Sequence, residues 1–140
     1  MNRRDFIVIP AAAVAVMVLN VAISFGVVWL YSSFLNPGHS AAYYEAYAMR
    51  VAPISSVIAG IPLMFAAGFL IARSRPGRRG LLVAAAAAFL YIIVDTAVLL
   101  SVDAGQGVWM WAALSHATKL LSALAGARLG MSRSARGLAS

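Results

Sequence analysis

Four uninterrupted apolar stretches constrain this chain more than any other feature: residues 6–35, 51–72, 81–102 and 108–130. A helix needs about 20 apolar residues to cross the hydrocarbon core of a bilayer. Each stretch meets that length, and none alternates polar with apolar residues as a membrane β-strand does. The expected fold class is all-α: a four-transmembrane-helix bundle in one domain, residues 1–130. A polar, basic tail follows at 131–140. Composition agrees, with 63% hydrophobic and 11% charged residues, where soluble domains average about 45–50% and about 25%.

The breaks between stretches carry turn chemistry. Asn36-Pro37-Gly38 ends the first, Arg75-Pro76-Gly77 ends the second, and Asp103-Ala104-Gly105-Gln106-Gly107 joins the third and fourth as a tight hairpin. Proline has no donor to continue a helix, and glycine tolerates the backbone angles of a turn. The first stretch exceeds what a bilayer requires, so its last turn is expected to project, with Trp29 and Tyr31 at the interface. Tyr43, Tyr47 and Arg50 share a helical face. They predict a short interfacial helix, or a helical extension, in the outer loop before span two. Pro62 is expected to kink that span, and Trp109 and Trp111 mark the outer entry of span four.

Orientation follows from the basic residues. Arg3, Arg4, Arg73, Arg75, Arg78, Arg79, Arg128, Arg133 and Arg136 all fall on one side if there are four spans. The other side has only Arg50, and Lys119 lies within span four. Both termini are therefore expected in the cytoplasm, with the chain multi-pass in a cell inner membrane. The excess of Arg and Ala fits a GC-rich bacterial genome. The net charge of +7 is explained by topology rather than by nucleic acid. The segment Asn2-Arg3-Arg4-Asp5-Phe6-Ile7 resembles the twin-arginine export signal in its paired arginines. The apolar run continues to Leu35, so an ordinary basic anchor is expected instead.

The absence of cysteine excludes disulfides, thiolate nucleophiles and cysteine-ligated metals. No phosphate loop, carboxylate pair or nucleophile–base pair stands out. His39 and His116 lie at different depths, against a bis-histidine haem. No cofactor and no enzymatic activity are expected.

Ionisable groups within a span are costly and therefore informative. Folding the last hairpin about Gly105 sets Asp95 opposite His116 and Tyr91 opposite Lys119. Asp95, His116, Lys119 and Tyr91 thus predict one intramembrane polar cluster. Its simplest form is an Asp95–Lys119 ion pair completed by His116 and Tyr91. Asn20 and Ser24 add secondary polar positions in span one, with Asn20 expected to bond between helices or to face Asp95. In span four, Ser122, Gly126 and Gly130 make a small-xxx-small stripe that admits close helix packing. In span two the small stripe is Ala52, Ser56, Ala59, Gly60 and Ala67.

Two functions fit. The first is a non-catalytic accessory or scaffold subunit of a membrane complex, acting through its helix faces. Its partners would be the bilayer and either further copies of itself or another membrane protein. The second is a small oligomeric transporter or channel using Asp95, His116 and Lys119 for proton or ion coupling. In length the chain resembles the small multidrug resistance class. That class carries an essential acid in its first span, and this sequence has none there.

Overall fold

The computed structural model describes residues 2–75, 77–101 and 106–137, with backbone alone for residues 106 and 133–137. The elements are α1 (Arg3–Leu30), a π-helical turn (Tyr31–Leu35), α2 (Ala41–Arg73), α3 (Arg78–Ser101) and α4 (Gln106–Gly137). Three helices are long and apolar enough to cross a membrane: α1 with its π-helical turn, α2 and α3. α4 is as long as these at 32 residues, but its polar residues dilute its apolar character.

Several boundaries differ from those read in the sequence. α1 gives way at Tyr31 to a turn with wider hydrogen bonding. α2 begins at Ala41, so the outer-loop segment is a helical extension continuous with span two. Ser40 caps it, its Oγ accepting from the Tyr43 N–H at 3.4 Å. At 1.5 Å per residue, its 33 residues make a rod of ~50 Å against a core of ~30 Å. It is longer than a bilayer core requires. α4 runs through the polar residues after Gly130 as far as Gly137. Of the expected final hairpin, residues 103–105 lie outside the described residues, as does Pro76 of the second break.

α1 packs against α2 and α3, and α4 packs against the same two helices, α2 most closely. Glycine sets the α2–α4 approach. A Cβ on Gly126 would overlap the Phe65 carbonyl, and one on Gly68 would overlap the Ala123 carbonyl. Gly130 likewise faces the Phe69 carbonyl. The two backbones meet with no side chain between them, a distance that admits Cα–H···O contacts. Gly68 was not in the stripe read from sequence; it does this work where Ala67 was expected. Ser122 is only half-buried, and the buried line on α4 is Ala123, Gly126, Ala127 and Gly130.

The apolar core is built largely of alanine. Ala13, Val16, Met64, Ala88, Tyr91 and Ala123 form one cluster; Ile71, Ala72, Val83, Ala84, Ala87 and Ala127 form another. Large apolar side chains point outward, including Val18, Phe25, Ile58, Phe89, Ile93 and Leu121. This inversion is what lipid as solvent favours: small residues bring helices together, and bulky ones face the acyl chains.

Candidate functional site

Each of the four helices sends one polar side chain to a common point. Lys119 on α4 donates from Nζ to Ser56 Oγ on α2 at 2.9 Å and to Tyr91 OH on α3 at 2.8 Å. Asn20 on α1 donates from Nδ2 to the same two oxygens, at 2.9 and 3.4 Å. Lys119 is 0% exposed, and its Nζ stands 4.6 Å from the Tyr91 ring centroid. Its aliphatic stem lies over Gly60, where a Cβ would overlap the lysine side chain. The sequence stripe containing Gly60 and Ser56 thus makes room for a lysine as well as for a helix.

Asn20 Oδ1 is buried without a partner. Turning that amide over would let the Ser56 and Tyr91 hydroxyls donate to Oδ1 while both accept from Lys119. The ammonium would then head a chain of donors that ends on a carbonyl, but Nδ2 would take the partnerless position. One turn outward, Ser24 Oγ bonds Ser55 Oγ at 2.9 Å and donates to the Asn20 carbonyl at 3.1 Å. Asn20 is therefore an interhelical bond-former and does not face Asp95. Ser115 Oγ is also buried with no partner among the described residues.

The single cluster expected from sequence is divided. Asp95 Oδ2 lies 2.8 Å from His116 Nε2, in the register given by the hairpin. An Asp95–Lys119 ion pair is not formed; Lys119 bonds hydroxyls instead. The reason is angular. His116 and Lys119 are three residues apart, so their side chains leave α4 in directions about 60° apart, one ~4.5 Å deeper than the other. Lys119 points to the bundle centre, where α1 and α2 meet it. His116 points to the rim of the α3–α4 contact. Asp95 and His116 keep 26% and 16% of their side-chain surface exposed.

A second ionic site was missed in the sequence. Asp5, 1% exposed, receives Arg75 Nε at 3.0 Å and Arg79 Nη2 at 2.6 Å. Its Oδ2 also accepts the Asn2 backbone N–H at 2.9 Å. The α1 start is thereby tied to the α2–α3 connection. The available signal was the charge pattern: Asp5 is the one acid on the side where the expected topology gathers nine arginines. Those arginines read as topology markers, and two of them also hold this carboxylate.

At the other end, the π-helical turn, Asn36 and the first turns of α2 form an aromatic cap. Tyr31 stacks on Tyr47 with ring centroids 3.7 Å apart, and Asn36 Nδ2 donates to both Tyr31 OH and Tyr43 OH at 3.0 Å. Tyr44 OH donates to the Asn36 carbonyl at 2.8 Å. The Tyr43–Tyr47 face read from sequence therefore packs back onto the end of α1.

Chemically, Ser56 and Lys119 have the separation of a nucleophile and its base, which the sequence did not reveal. Lys119 is fully buried, whereas Ser56 keeps part of its surface exposed. A void of about 10 Å³ among the helices borders neither residue, and one of about 40 Å³ between α1 and α3 reaches Tyr91 but neither Ser56 nor Lys119; both are lined largely by apolar side chains. Among the described residues, no three His, Asp or Glu side chains converge as a metal site would require. No protein-family model, curated protein or solved structure matches this chain.

Proposed function

We propose that the chain is a four-span protein of a bacterial inner membrane, with both termini in the cytoplasm. We propose further that it serves as a non-catalytic accessory or scaffold subunit of a membrane complex. The observation that carries this reading is the four-helix node at Lys119, where Lys119, Tyr91 and Asn20 are buried and Ser56 is half-buried. Its hydrogen bonds go to neutral hydroxyls on two other helices, and the same hydroxyls bind the fourth. An ammonium so placed fixes the rotation of four helices at once, at a desolvation cost. A rigid frame that presents its outer faces is what such a pin provides. α4 counts as the fourth span because its lysine turns inward, leaving Met110, Leu114, Leu121 and Leu129 outermost.

The transport reading draws on a different observation, the partial exposure of Asp95 and His116. Two measurements separate the two. The chain has no cysteine, so single-cysteine variants report topology cleanly. Ala41→Cys should react with an impermeant maleimide from outside intact cells, and Ser132→Cys only after permeabilisation. Reaction of Ser132→Cys from outside overturns the four-span topology. In proteoliposomes the protein should give no proton, sodium or potassium flux above that of empty vesicles. A flux that disappears with Asp95→Asn overturns the scaffold in favour of transport.

A further inference from the structure

The Asp95–His116 pair sits at an awkward depth. Asp95 lies six residues before the end of α3 at Ser101, ~9 Å along the helix. The 24 residues of α3 span ~36 Å, so a centred helix leaves about 3 Å beyond each face of a ~30 Å core. The carboxylate is then ~6 Å inside the hydrocarbon. Around it the exposed side chains are apolar: Val94 and Val98 on α3, Leu114 on α4. A single copy therefore presents a partly open acid–base pair to lipid, which is unfavourable.

We infer that this face is covered by a second copy of the chain, packed about a two-fold axis along the membrane normal. The inference rests on the four-span reading above. Three observations select this occupant. The pair contains one acid and one base at the same level, so a two-fold sets each Asp95 beside the partner's His116; the patch is complementary to itself. The arginine asymmetry keeps two copies parallel, which preserves that match in depth. The α4 surface beside His116 also carries Ala113 and Ala117, both exposed. They are four residues apart, a spacing that lets two helices approach closely. A different membrane protein would need its own donor and acceptor at this depth.

Oxidative cross-linking in native membranes is the test. Ala113→Cys should form a disulfide-linked dimer in most of the protein, and Val18→Cys on the exposed face of α1 should not. Charge exchange then separates contacts between copies from those within one. The Asp95→His chain carries two imidazoles and the His116→Asp chain two carboxylates; neither retains its internal pair. Each alone should lose at least threefold in Ala113→Cys cross-linking, and co-expressed, differently tagged versions should recover it as mixed dimers. No cross-linking of Ala113→Cys in the otherwise unaltered chain overturns the dimer, as does equal cross-linking of Val18→Cys. If the exchanged chains do not accumulate, the unaltered pair of results decides. An intact maleimide labelling pattern with no dimer removes this inference alone and leaves the topology standing.

Discussion

Removing the Tyr91 hydroxyl tests the four-helix node directly. In Tyr91→Phe the ring and its packing stay, and one oxygen goes. That oxygen accepts from Lys119 Nζ at 2.8 Å and, more weakly, from Asn20 Nδ2 at 3.4 Å. A hydrogen bond to a charged group contributes about 1.5–3 kcal/mol. Bonds between membrane helices average about 0.6 and reach about 1.7 kcal/mol, because the unfolded chain in lipid also finds partners. Lys119 is sealed and would keep only Ser56 among its two acceptors, so the upper part of that range applies, about 1.5–2 kcal/mol. In a Lys119→Met background the same substitution removes only the long bond to Asn20, about 0.5 kcal/mol. Lys119→Met alone should stay within about 1 kcal/mol of the parent, since a buried charge replaced by an apolar chain of similar length is often neutral. The coupling between the two positions is then about 1–1.5 kcal/mol, near a tenfold change in the unfolding equilibrium. Reversible unfolding in mixed micelles against the mole fraction of dodecyl sulfate measures all four members of the cycle. Effects that add to within about 0.5 kcal/mol refute the argument, because the node would then not be one hydrogen-bonded unit.

Three further substitutions probe the packing and the arginine-rich end. Gly126→Val should destabilise by about 1–3 kcal/mol or more, since its Cβ meets the Phe65 backbone rather than a movable side chain. Gly26→Ala, where nothing lies within 4 Å, should be neutral or stabilising by up to about 1 kcal/mol; the same micelle titration compares them. Asp5→Asn should destabilise the protein by weakening the acceptor shared by Arg75 and Arg79. It should also expose the bonds after Arg78 and Arg79, at the start of α3, to trypsin in inside-out vesicles, given the proposed orientation. Unchanged stability together with unchanged protection argues against Asp5 as a tie.

Much of the architecture was legible because the bilayer simplifies the problem. Length and apolarity alone mark α1, α2 and α3, and turn residues separate them. The pairing levels of α3 and α4 followed from a short connection, which leaves little freedom in register. So Asp95 meets His116, and Tyr91 meets Lys119. What could not be read was direction around each helix axis. Lys119 was assigned to Asp95 on depth and charge, the two quantities a sequence exposes. Of its real partners, Tyr91 had been placed opposite it, but Ser56 is a commonplace residue on a helix distant in the chain. Asp5 was hidden for a similar reason: its arginines lie 70 and 74 positions away. Gly68 was passed over because alanine and glycine are abundant throughout, and only the crossing of α2 over α4 singles one out.

The sequence by itself determined that this chain consists of long apolar helices with an arginine-rich side, and that few charges lie within them. Those properties come from transfer energies and local backbone preferences, which act residue by residue. The tertiary structure decided which charge meets which partner. Helix rotation and close approach at Gly60, Gly68 and Gly126 bring Lys119 to two hydroxyls and leave Asp95 with His116 at the rim. That choice depends on contacts among four helices at once, and no single stretch of the sequence carries it.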